Sequence, residues 1–318
     1  MAKSNSDNSI NGNFKGKDIL SLDQFSPRDI NILFKQASKM RGIAKNARPS
    51  DILKGNIVTL IFYEPSSRTF GSFGASVKQL GGATIEILNP QVFSSVSKGE
   101  TLEDTIRVFE SYCDAIVIRH PEAGTAIKAA SAAEFVPIVN AGDGVGEHPT
   151  QALLDLYTIH VELGRLLGLT ITFMGDLTHG RTVHSLVRLL VHFPVKLIYV
   201  SSLPMPPELV DYIASFGIEQ RVATLEEALP ETDVLYVTRI QKERFQFQGT
   251  TECINAEKMK LAKQKMIVMH PLPRNEELST DMDNDPRSVY FKQMEHGMYM
   301  RMAILEYYLS IDYDKARP

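Results

Sequence analysis

Glu64-Pro65-Ser66-Ser67-Arg68-Thr69 places three hydroxyls and a guanidinium within four residues, after the apolar run 57–63 and before a segment with helical spacing. A turn between a strand end and a helix start offers free backbone N–H groups and the positive end of the helix dipole, and both attract phosphate. Ser66, Ser67 and Thr69 would add hydroxyl donors, and Arg68 a planar fork. Helix capping uses the same orphan donors, so the motif alone leaves a structural cap and an anion site both open.

Similar chemistry recurs where other apolar runs end. Arg119 follows 114–118, with a solvated edge arginine as the plain alternative. Glu147-His148-Pro149-Thr150-Gln151 follows the glycine-rich 140–146, whose glycines do not spell the dinucleotide fingerprint. His148 and Gln151 share a face near a helix start, where a neutral imidazole can donate to a carbonyl oxygen; a capping histidine is the alternative. The stretch from Gly175 to Thr182 is one residue from a P-loop, with Arg181 in place of lysine. A nucleotide hydrolase is therefore the rival reading, although a guanidinium suits a planar carboxylate better than the gap between two phosphates. Arg239 and Gln241 follow the run 233–237, and His270-Pro271-Leu272-Pro273-Arg274 follows 266–269, where two prolines leave carbonyls beside neighbours lacking an N–H. Ser94 and Lys98 lie in the loop before a helix starting near Thr101.

These positions require strands alternating with helices. Strands are predicted at 56–63, 83–88, 114–118 and 136–139, then at 169–174, 195–200, 233–238 and 266–269. Ser26-Pro27 opens a helix with Ile30, Leu33, Phe34 and Ala37 on one face, and Phe70, Phe73, Val77 and Leu80 mark another that Gly81 would cap. The pattern predicts an α/β protein of two domains, each a mostly parallel sheet flanked by helices, with the boundary near Pro149. In such sheets ligands bind beyond the carboxyl ends of strands, where every motif above falls.

At 318 residues the chain is about twice a typical domain, and 43% hydrophobic residues give each half a core. A net charge of -4 and a pI near 6.1 recommend neither nucleic acid nor an anionic membrane, so a small-molecule partner is expected. Cys113 and Cys253 are too few and too far apart for a disulfide framework or zinc site, which suits a reducing cytosol. No stretch reaches the roughly 20 apolar residues of a membrane span, and the start lacks a signal-peptide core. Residues 1–13 are rich in Asn and Ser and read as disordered.

Taken in order, SSRT at 66, KGETLEDTIR at 98, RHP at 119, GEHPTQALLDLYTI at 146, GDLTHGRTVHSL at 175, TRIQKER at 238 and HPLPR at 270 resemble the aspartate carbamoyltransferases from about Phe25 to Tyr308. The related ornithine enzymes share the phosphate cradle but carry Cys where Pro271 stands and lack the G-R-T-V-H-S run. Ser67 and Gly74 depart from the Thr and acidic residue common in the family, without removing a required donor. The resemblance implies carbamoyl transfer from carbamoyl phosphate to L-aspartate in pyrimidine synthesis, without metal or cofactor. It implies a carbamoyl phosphate domain at 1–149, completed by about 297–318 through a returning C-terminal helix, and an aspartate domain at 150–296. By the same resemblance Ser66, Ser67, Arg68 and Thr69 hold the phosphate, and Thr69, Arg119 and His148 donate to the carbamoyl oxygen. Gln151 and the carbonyls of Pro271 and Leu272 orient the carbamoyl amine, and Arg181, Arg239 and Gln241 grip aspartate. Lys98 lies near both substrates; Ser94 and Lys98 reach into the neighbouring site of a cytoplasmic homotrimer. A regulatory or multienzyme partner stays open.

Overall fold

The computed structural model describes residues 9–46, 50–93, 95–240 and 252–309. They form two compact units, one of residues up to Thr150 together with those from His296, the other Gln151–Glu295. The helices and strands of the first stretch are α1 (Pro27–Ala44), β1 (Ile57–Phe62), α2 (Ser67–Gln79), β2 (Ala83–Leu88), α3 (Pro90–Phe93), α4 (Leu102–Glu110), β3 (Ala115–His120), α5 (Thr125–Ala132) and β4 (Ile138–Asp143). After α6 (Pro149–Leu163) come β5 (Thr170–Asp176), α7 (Arg181–Leu190), β6 (Lys196–Leu203), α8 (Pro207–Ser215), β7 (Glu219–Val222), α9 (Leu225–Ala228), β8 (Val234–Val237), β9 (Ile267–Met269) and α10 (Tyr290–Leu309).

Each unit has one wholly parallel sheet, ordered β2-β1-β3-β4 in the first and β7-β6-β5-β8-β9 in the second. Central strands such as Val58 to Phe62 in β1 and β8 are continuously apolar or buried because helices cover both sheet faces. The order changes direction between β1 and β3 in one sheet and between β5 and β8 in the other. At such a switch point the helices after the two neighbouring strands leave on opposite faces and open a crevice at the carboxyl ends.

The predicted α/β class holds, and the C-terminal helix returns to the first unit as expected. Its residues Met298 and Arg301 engage α2: Ser76 Oγ donates to the Met298 carbonyl at 3.1 Å, and the Arg301 guanidinium sits 5.2 Å over the Phe73 ring. Three readings need correction. The segment 140–146, read as a loop, contributes the buried second half of β4, because Asn140 donates to the Leu20 carbonyl and Asp143 accepts from the Gly124 N–H, partners far along the chain that let both tolerate the interior. Strand β7 was not predicted; its sequence Glu-Gln-Arg-Val lacks an apolar run because it is a sheet edge. Residues 9–13, expected to be disordered, are folded: Ile10 is fully buried, its N–H donates to the Gln24 carbonyl at 3.0 Å, and Gly12 N–H donates to Asp29 Oδ1 at 2.7 Å. Two spaced apolar anchors, Ile10 and Phe14, hold a polar tract that average composition misjudges. Residues 1–8 lie outside the described residues.

Candidate functional site

In the first unit, β1 ends at Phe62 and α2 begins at Ser67, so the motif occupies the carboxyl end of a strand at the switch point. Ser66 is the N-cap residue, yet its side chain makes no capping hydrogen bond and the first turn holds no acidic residue. The helix start instead carries Arg68, and the positive end of the dipole beside a guanidinium is a place that favours an anion. This weighs for the anion reading over the cap. Ser67 and Arg68 are exposed, Ser66 is half-buried and Thr69 is buried.

Arg119 stands beside this turn through strand register, since Phe62 pairs with Arg119 and the Tyr63 N–H donates to the Arg119 carbonyl at 2.8 Å. Arg119 is 7% exposed, and its guanidinium donates to the Ala141 carbonyl at 3.1 Å and lies 2.6 Å from Glu64 Oε2. Glu64 was missed as a site residue, although it heads the motif, because its partner Arg119 lies on another strand. His148 is 3% exposed at the end of the 144–148 segment. That segment is fastened on both sides: Glu147 accepts from Ser21 Oγ at 3.0 Å and Leu22 N–H at 2.7 Å, and Gly144 N–H donates to the His120 carbonyl at 2.8 Å. Gly144 has φ +56°, and a side chain there would press on the backbone of Pro121 and Ala123. The glycine thus lets the loop after β4 lie against the loop after Arg119.

Lys98 ends a short 3₁₀ turn after α3, is exposed, and makes no hydrogen bond or ion pair with the described residues. Among the described residues nothing joins it to the Ser66 turn. Ser94 and Gln241 lie outside the described residues.

In the second unit, Arg181 is the first residue of α7 and Arg239 follows β8, so both stand at the carboxyl ends of the neighbouring strands β5 and β8. Both are half-buried. Gly180 caps α7 without a side chain, and the first turn again has an arginine and no acid. The approach to Arg181 is fixed by Asp176, fully buried, whose Oδ1 accepts from the His179 N–H at 2.9 Å, and by His184 Nε2, which donates to the Leu177 carbonyl at 2.7 Å. Burial lowers the His184 pKa, so the ring is neutral. Gly175 has φ +111°, and a Cβ there would overlap the Thr238 carbonyl. Together with Gly180, which abuts the Asp176 carbonyl, it serves backbone packing instead of a phosphate loop, which weighs against the nucleotide hydrolase.

Gln151 is buried on α6. Pro271 and Leu272, half-buried, follow β9. Leu272 has φ +57°, costly for a branched residue, and its N–H donates to His270 Nδ1 at 2.8 Å. Nδ1 therefore accepts, Nε2 carries the proton, and it donates to Glu277 Oε1 at 2.9 Å. Burial pushes the Glu277 pKa up, but the bonds from His270 and the Asn275 N–H prevail and hold it below its ordinary value. Arg274, the last residue of the motif, is held by Asp283 and Tyr290.

The family model described as the carbamoyl-P binding domain of aspartate/ornithine carbamoyltransferase matches residues 17–161, and that described as the Asp/Orn binding domain matches 167–308. The chain is 52% identical over 309 residues to the multifunctional protein pyr1-3 of Dictyostelium discoideum, covering 94% of this chain and 14% of that protein. It is 47% identical over 296 residues to the aspartate carbamoyltransferase catalytic subunit of Archaeoglobus fulgidus, covering 90% and 97%. It thus spans about a seventh of the first relative and nearly all of the second. The crystal structure of Trypanosoma cruzi aspartate transcarbamoylase in complex with carbamoyl phosphate and aspartate is similar with a TM-score of 0.88 at 47% identity, covering 93% of this chain and 98% of that one. The same enzyme in complex with N-(phosphonacetyl)-L-aspartic acid gives 0.88 at 48% identity, covering 93% and 97%.

Proposed function

The chain belongs to the aspartate/ornithine carbamoyltransferase family, and we propose that it transfers the carbamoyl group of carbamoyl phosphate to the amine of L-aspartate, giving N-carbamoyl-L-aspartate and phosphate for pyrimidine synthesis. One observation carries this reading. Two uncapped, acid-free helix starts, α2 and α7, each bear an arginine at the switch point of a parallel sheet. One suits a phosphate and the other a carboxylate.

Ser66, Ser67, Arg68 and Thr69 hold the phosphate, whose charge grows as it leaves, so this cradle stabilises the transition state more than the ground state. Thr69, Arg119 and His148 donate to the carbamoyl oxygen as it becomes an oxyanion. Gln151 and the carbonyls of Pro271 and Leu272 accept from the carbamoyl amine. Arg181, Arg239 and Gln241 take the two carboxylates of aspartate. The remaining work is holding two anions at attack distance, and the departing phosphate can accept the proton of the amine. Arg181 and Arg239 also decide against ornithine, whose side chain ends in an ammonium that two guanidiniums repel.

The active form we propose is a cytoplasmic homotrimer in which Ser94 and Lys98 serve the neighbouring site; Lys98, exposed and unengaged among the described residues, supports this. The multifunctional relatives make a multienzyme setting a natural extension. Carbamoyl transfer measured with aspartate and ornithine side by side tests the function. Aspartate turnover with ornithine inert is expected, and equal turnover of the two overturns the assignment.

A further inference from the structure

Gln151, the tyrosine of β8 and a glutamine at the start of α10 converge on one buried carboxylate that the mechanism above does not use. Asp155 is fully buried. Its Oδ1 accepts from Gln151 Nε2 at 2.9 Å and from Gln293 Nε2 at 2.6 Å, and its Oδ2 accepts from the Tyr236 hydroxyl at 2.7 Å. A carboxylate can only accept, so both amides must turn their NH₂ groups toward it. Burial and the neighbouring Asp155 push the Tyr236 pKa well above its ordinary value, which keeps the phenol proton in place as the third donor.

Two consequences follow for the groups that would meet the carbamoyl amine. With Nε2 committed to Asp155, Gln151 presents Oε1, which accepts no hydrogen bond from the described residues. With its Nε2 committed as well, Gln293 uses Oε1 to accept the His270 N–H at 3.0 Å. His270 in turn bonds the Leu272 N–H at 2.8 Å and holds that residue at its positive φ. The substrate amine is an N–H donor and needs acceptors alone. A Gln151 flipped end for end would offer it two more donors.

We propose that Asp155 is a positioning residue: it orients the Gln151 amide so that Oε1 faces the carbamoyl amine and, through Gln293 and His270, sets the Pro271 and Leu272 carbonyls that accept from the same amine. A single buried carboxylate thereby makes the site selective for NH₂ over a methyl group. This rests on the carbamoyl-transfer reading above.

The test compares carbamoyl phosphate with acetyl phosphate, which has a methyl group where the substrate has its amine. Asp155→Asn keeps the shape but replaces one of the two accepting oxygens by an NH₂ donor, so the three donors no longer share an all-acceptor partner and the hold on the Gln151 orientation weakens. The ratio of acetyl phosphate Ki to carbamoyl phosphate Kd should fall about tenfold, the scale of one or two lost hydrogen bonds. The Ki for inorganic phosphate should not change, because its donors lie elsewhere. General damage to the fold would weaken all three ligands together and leave the ratio intact, and that result overturns the proposal. If Asp155→Asn does not fold, Gln293→Met cuts only the branch to His270 and must by itself lower the ratio; an unchanged ratio there is equally fatal. Wild-type protein that transfers no carbamoyl group to aspartate refutes the functional reading instead, a separate outcome.

Discussion

The Glu64 carboxylate lies 2.6 Å from the Arg119 guanidinium, joining the head of the Ser-Ser-Arg-Thr turn to the end of β3. With the Arg119 side chain 8% exposed and that of Glu64 22% exposed, this pair neutralises a nearly buried cation. An anion arriving at the turn would provide the same compensation.

Glu64→Gln should therefore destabilise the ligand-free protein by about 1–3 kcal/mol, the cost of leaving a buried charge without its partner. Added phosphate should restore more stability to this variant than to the wild type. Thermal unfolding with and without phosphate checks both effects, and an identical phosphate response in the two proteins would remove Glu64 from the site.

His148→Ala should lower kcat by about 10²–10³, the scale of one lost oxyanion donor, with little change in carbamoyl phosphate binding. Steady-state kinetics and a direct binding measurement separate the two. An unchanged kcat would return His148 to the capping role that Pro149 makes available.

Arg181→Lys keeps the charge but loses the planar fork. The KM for aspartate should rise roughly tenfold or more, the scale of a lost charge-assisted hydrogen bond. No magnesium-dependent ATP hydrolysis should emerge, and its appearance would revive the nucleotide reading.

Asp283 contributes to the acid limb of stability. The Arg274 guanidinium and then the Tyr290 hydroxyl hold its carboxyl at about 2, down from 3.8. Between these values the unfolded chain binds a proton that the folded chain does not, so stability rises with pH. The contribution is complete above 3.8 and is lost as the pH falls toward about 2. Asp283→Asn should reduce the slope of urea midpoints across that interval and leave the neutral-pH slope alone. The carboxylate is solvent-screened, so the effect is modest.

Hybrid trimers test the shared site. Lys98→Ala and Arg68→Ala chains should each be inactive alone. Co-refolded, they create an interface pairing intact Arg68 with intact Lys98, recovering up to roughly a third of activity in a trimer with one such interface. Mixed trimers as inactive as their parents would confine Lys98 to its own chain.

Residue types and spacing determined the α/β class, most of the strands and the family, and singled out the Ser66 turn as a cap or an anion site. Continuous β-branched runs and hydroxyl-rich turns are local signals, readable because a strand buried on both faces must be apolar along its length. Other features depended on partners far along the chain. Whether Ser66 capped α2 turned on a hydrogen bond that its rotamer does not make. Glu64 acquired its meaning from Arg119, brought beside it by the β1–β3 register. Asp155 gains its setting from Tyr236 and Gln293, 81 and 138 residues away in sequence. The polar edge strand β7 and the folded segment 9–13 were hidden for the same reason, since each is held by contacts that no window of neighbouring residues contains. Local sequence carried the chemistry, and tertiary structure decided which atoms face it, because a buried polar group takes its orientation from whatever partner the fold supplies.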